Sequence, residues 1–80
     1  MRDLRVYTYP GSSGARGKDA TFYSQRADGP YYRWVYAERA GGWRYSRVSL
    51  NRPELNVLCV AQWEAVPAAL RDRLGEHYLE

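Results

Sequence analysis

Between residues 31 and 48 the chain interleaves aromatic rings with guanidinium groups. The stretch runs Tyr31-Tyr32-Arg33-Trp34-Val35-Tyr36-Ala37-Glu38-Arg39-Ala40-Gly41-Gly42-Trp43-Arg44-Tyr45-Ser46-Arg47-Val48. It holds six of the twelve aromatic residues and four of the eleven arginines. Unpaired nucleic-acid bases stack on Tyr and Trp faces, each stack contributing roughly 1–3 kcal/mol, while arginines neutralise the phosphates. The pattern assigns stacking to Tyr32, Trp34, Tyr36, Trp43 and Tyr45, and phosphate contact to Arg33, Arg39, Arg44 and Arg47. Trp, Tyr and Arg are equally the residues that dominate protein interfaces. The same surface therefore suits a protein partner or a second copy of the chain. A third account needs no partner, because aromatic residues favour strands and fill cores.

Other candidate groups carry less chemistry. The loop Gly11-Ser12-Ser13-Gly14-Ala15-Arg16-Gly17-Lys18-Asp19 invites comparison with the phosphate-binding P-loop. That motif needs Gly, four residues, then Gly-Lys-Ser/Thr. Here Asp19 follows Gly17-Lys18, and position 12 is Ser, so nucleotide hydrolysis is unsupported. Arg16 and Lys18 remain as basic groups that can close over a bound backbone, although a plain connector is the simpler account. His77 lies near a helix C-terminus, where a cation is mildly favoured, and has no Ser or Cys at suggestive spacing. Cys59 reads as a small buried hydrophobe. Asp72 and Glu76 share a helix face as a solvated pair. No nucleophile–base pair, metal-ligand spacing or cofactor motif emerges. The expectation is a non-catalytic binding module without cofactor or metal.

Bulk properties agree with that class. Eighty residues make a single domain, and 45% hydrophobic with 26% charged residues is a globular composition. No apolar run approaches the roughly 20 residues of a membrane-spanning helix. The basic start, Met1-Arg2-Asp3-Leu4-Arg5, lacks the apolar segment of a secretory signal. With one cysteine and no internal disulfide, the expected location is the cytoplasm. The net charge of +3 is unevenly spread. Residues 1–52 hold ten basic and four acidic side chains, a net of +6, and residues 53–80 hold two and five, a net of −3. The excess sits on the aromatic-rich part and suits an acidic partner, most simply single-stranded nucleic acid.

The elements that must position these groups follow from periodicity and turn signals. Leu4–Tyr9, 20–27, 31–40 and 43–50 alternate as strands, separated by Pro10 with the Gly-rich loop, by Asp28-Gly29-Pro30 and by Gly41-Gly42. Residues 54–66 admit two readings. Asn51, Pro53 and Glu54 form a capping-box pattern for a helix. Val57-Leu58-Cys59-Val60-Ala61 is a buried-strand run, and the strand is preferred. After Pro67, Leu70, Leu74 and Tyr78 line one face of a helix. The expected fold is α+β: an antiparallel meander of four or five strands with a C-terminal helix packed on one face.

Turn geometry then sorts the side chains. A two-residue Gly41-Gly42 turn pairs Val35 with Val48 and Tyr36 with Arg47. Tyr32, Trp34 and Tyr36 then share a face with Trp43, Tyr45 and Arg47. A two-residue Asp28-Gly29 turn sets Phe22 beside Val35 and Tyr23 beside Trp34, whereas a three-residue turn at Asp28-Gly29-Pro30 undoes the Phe22 placement. The helix covers one face only. Burying the rings would require a partner for every indole N–H and phenol O–H. The preferred expectation is therefore an exposed aromatic face, with Val35, Val48 and Phe22 under the helix. An aromatic core is the alternative, because those rings are the chain's largest apolar area.

Overall fold

The computed structural model describes residues 3–9 and 19–78. The chain runs β1 (Leu4–Thr8), β2 (Phe22–Arg26), β3 (Tyr31–Ala37), β4 (Gly42–Val48), α1 (Arg52–Val57), β5 (Cys59–Val60) and α2 (Ala68–His77). The five strands form one antiparallel sheet in the order β4-β3-β2-β1-β5. The α+β meander with a C-terminal helix is thus the architecture expected. No helix among the described residues is long and apolar enough to cross a membrane.

Segment 52–60 satisfies both local signals in turn. Asn51 Oδ1 accepts from the Glu54 N–H and Glu54 Oε1 accepts from the Asn51 N–H, both at 3.0 Å. This reciprocal cap, with Pro in the first turn, starts α1. No α1 residue is buried, so no packed face extends the helix, and at Leu58 the backbone turns extended (φ −72°, ψ 139°). Cys59 then pairs with Thr8 and Val60 with Tyr7. The strand expected over 57–61 shortens to two residues. Cys59 is exposed rather than buried: it sits on an outer strand of the sheet, with β1 as its one neighbouring strand among the described residues.

Two turns differ from expectation, with opposite consequences. Between β3 and β4 the chain makes a single 3-10 turn at Glu38–Ala40, closed by Gly41 in the left-handed region (φ 84°), and Gly42 already belongs to β4. The resulting pairs are Tyr36 with Trp43, Trp34 with Tyr45 and Tyr32 with Arg47. The register moves by four residues. Because side chains alternate with period two, an even shift leaves each on its expected face. Arg44 lies opposite Val35, so the register sets no arginine directly across from it.

The β2–β3 turn shifts by one. Ala27 takes a positive φ of 52°, and the Gly29 N–H donates to the Arg26 carbonyl at 2.9 Å. Phe22 therefore pairs with Trp34, Tyr23 with Arg33 and Ser24 with Tyr32. An odd shift exchanges the faces of a whole strand. Phe22 and Ser24 join the Trp34 face, and Tyr23 leaves it.

That exchange accounts for which face is covered. Val6, Phe22, Trp34 and Trp43 from the sheet are buried with Val66, Leu70 and Leu74 from the α2 segment. The exposed aromatic face is thereby corrected: α2 packs on the rings. The polar requirement is met by Ser24. Trp34 Nε1 donates to Ser24 Oγ at 2.8 Å, and Ser24 Oγ is 2.8 Å from Tyr78 Oη. Among the described residues no buried side-chain nitrogen or oxygen lacks a partner. With the indole satisfied, burial of the largest rings supplies more driving force than burial of Val35 and Val48.

Candidate functional site

The structure divides the sequence-predicted residues. Trp34 and Trp43 are 0% and 3% exposed, so neither ring has a face free for stacking. Tyr32 and Tyr36 are half-buried against the core. Tyr45 alone of the five rings is well exposed, at 46%. All four hairpin arginines, Arg33, Arg39, Arg44 and Arg47, are exposed. Arg16 and Lys18 lie outside the described residues.

What the fold brings together is an edge. β4 is the outer strand, and four consecutive residues, Arg44, Tyr45, Ser46 and Arg47, are exposed along it. Alternation sends Tyr45 and Arg47 to the α2 side and Arg44 and Ser46 to the other. Arg33, opposite Ser46, and Arg39, in the 3-10 turn, extend the charge to either side. Neither β3 nor β4 contains a carboxylate. Among the described residues, none of these four arginines makes an ion pair. Among the described residues, the strand's outer backbone groups have no neighbouring strand.

On the α2 side, Tyr45 belongs to a nest of rings around His77. The imidazole centroid lies 4.4 Å from Tyr45, 4.6 Å from Tyr32 and from Tyr78, and 5.5 Å from Trp34. Burial first, and then the nearby Arg73 charge, lower the His77 pKa below its ordinary value. Burial raises that of the Tyr78 phenol, which is hydrogen-bonded to Ser24. For His77 the folded protein favours the neutral ring more than the unfolded chain does. Its contribution to stability is full above about pH 6.5 and is lost as pH falls through the lower folded pKa. Urea unfolding at about pH 7.5 and pH 5 is expected to show a larger acid loss in the wild type than in His77→Phe. Equal losses would show that His77 titrates alike in both states.

A second aromatic set lies on the sheet face away from α2. Tyr7 and Tyr31 stand 6.2 Å apart and Tyr9 and Tyr23 6.3 Å apart. Tyr23 is buried and the other three are half-buried. The alternation of Arg5, Tyr7 and Tyr9 against Leu4, Val6 and Thr8 was the sequence signal for this set. Its link to Tyr23 and Tyr31 depends on the β2–β3 register. Asp72 is a further group the hairpin pattern did not include: it lies on α2 across from β4, beside Tyr36, Trp43 and Tyr45.

No protein-family model matches the chain, and neither a curated protein nor a solved structure matches it.

Proposed function

We propose that this domain is a non-catalytic module that binds single-stranded nucleic acid along its β4 edge. The observation that carries the proposal is the row Arg44-Tyr45-Ser46-Arg47, exposed on an outer strand and flanked by Arg33 and Arg39. Four cations without ion-pair partners among the described residues suit a row of phosphates, and an exposed ring between them suits an unpaired base. Arginine also recognises phosphate through a planar two-pronged donor, which lysine lacks. The stacking role narrows from five rings to Tyr45, and the phosphate role rests on the hairpin arginines.

The free edge supports a second reading. A seven-residue outer strand can accept an added strand from a protein partner or from a second copy of this chain. Arginines on an edge also discourage such pairing, which favours the nucleic-acid reading.

The two differ in salt dependence. Anisotropy of labelled oligo(dT) and oligo(U) is expected to report binding at low salt that weakens steeply as salt rises. No binding of either at low salt would sink the proposal. A salt-tolerant dimer in sedimentation, with no oligonucleotide binding, would favour the second reading.

A further inference from the structure

The α2 residues Ala69, Asp72 and Arg73 face β4 and the turn before it across a groove of about 860 Å³. Trp43 and Tyr36 line the groove with Tyr45, and Arg44 also borders it. The volume lies within the range that accepts a small ligand, roughly 300–1,000 Å³.

The groove's polar groups differ in availability. Arg73 is committed: its Nη1 donates to Glu76 Oε1 at 3.1 Å and its Nε to the Trp43 carbonyl at 3.4 Å. Asp72 is exposed and has no hydrogen-bond or ion-pair partner among the described residues. An ionised carboxylate only accepts, and it can take two parallel N–H bonds. Among the bases, guanine alone presents two adjacent donors on its Watson–Crick edge, at N1 and the N2 amino group. Adenine and cytosine present one amino group beside a ring nitrogen whose lone pair repels the second carboxylate oxygen. Thymine and uracil present one N–H between two carbonyls.

We propose that the groove holds one guanine of the bound strand, with the Asp72 carboxylate on its Watson–Crick edge and the Tyr45 ring against its plane. This rests on the β4-edge reading. Tyr45 joins the two surfaces, because it belongs to the exposed β4 row, lies on the α2 side and lines the groove. Unpaired bases are commonly read in this way, by stacking combined with edge hydrogen bonds.

The test compares three labelled probes by anisotropy: oligo(dT), the same oligomer with one central guanine, and the same with inosine there. Inosine keeps the N1 donor and lacks the N2 amino group. The guanine oligomer is expected to bind roughly tenfold more tightly than oligo(dT), the scale of one charge-assisted hydrogen bond, with inosine between. Asp72→Ala places a strong helix former at an exposed helical position. It is expected to keep the wild-type circular dichroism, to bind oligo(dT) at least as tightly as the wild type because a negative charge near the phosphates is lost, and to make the three probes equivalent. Equal binding of all three by the wild type would overturn the guanine assignment while the edge reading stands. A guanine preference that survives Asp72→Ala would overturn the role of Asp72. Failure to bind any probe at low salt would overturn the edge reading, and this inference with it.

Discussion

Trp34→Ala is expected to lower the stability of the domain by about 3–5 kcal/mol. The indole is 0% exposed, pairs across the sheet with Phe22 and Tyr45, and packs in one core with Leu70 and Leu74. Truncating a buried tryptophan to alanine costs about 3–5 kcal/mol, because the cavity closes only in part. A domain of this length is stable by roughly 4–12 kcal/mol in total. The substitution thus removes about a quarter of the stability at least, and about three quarters or more of it at the lower bound. It also removes the Nε1 donor to Ser24, which keeps Tyr78 as a partner. Trp34→Phe retains a ring and loses that donor, so a smaller loss of about 1–3 kcal/mol is expected. Urea titration followed by far-UV circular dichroism separates the outcomes. A Trp34→Ala protein with an unchanged midpoint would show that the aromatic face is not the core.

The elements of this fold were legible because their signals are local. The Asn51–Glu54 cap, the Leu70/Leu74 spacing and the alternation of β1 to β4 each act within a few residues. The division of the hairpin into two faces was legible too, since it depends only on the parity of the β3–β4 register, and that register moved by four. The β2–β3 turn moved by one, and the covered face depended on it. A two-residue Asp28-Gly29 turn aligns Phe22 with the valines and makes an aliphatic core plausible. The positive φ at Ala27 shifts the pairing and sends Phe22 and Ser24 to Trp34. Alanine rarely takes that conformation, so composition left open whether the Asp28-Gly29-Pro30 turn has two residues or three. Burying the indole is costly while its N–H has no acceptor, and the single hydroxyl of Ser24 removes that cost.

The candidate site was legible in its charges and less so in its rings. A guanidinium on a strand is exposed on almost any register, because an unpaired buried cation is prohibitively costly. Arg33, Arg39, Arg44 and Arg47 accordingly all reach solvent. Rings carry no such constraint, and the two tryptophans of the hairpin, Trp34 and Trp43, went inside. Tyr45 stays exposed because it lies on the outer strand, where the neighbouring rings meet it from one side only.

Removing charge from this edge should therefore weaken binding without weakening the fold. In the double variant Arg44→Gln with Arg47→Gln, both positions are exposed on β4 and neither makes an ion pair among the described residues, so stability should change by no more than about 0.5 kcal/mol per site. Each phosphate of a single strand that is no longer neutralised makes the slope of log affinity against log salt shallower by about 0.7. Two such phosphates change it by about 1.4. Oligo(dT) affinity is then expected to fall by one to two decades near 0.05 M salt, on the order of what that slope accumulates, and to approach the wild type toward 1 M. Arg52→Gln is the control, with one charge removed against two, so its slope change is compared per charge. It removes one charge from α1, off the β4 edge, and should leave the slope unchanged apart from a small effect of net charge. A double variant with the wild-type slope would mean that the bound strand does not follow β4. An equal flattening of the slope per charge in Arg52→Gln would mean that overall charge, rather than the Arg44–Arg47 row, attracts the nucleic acid.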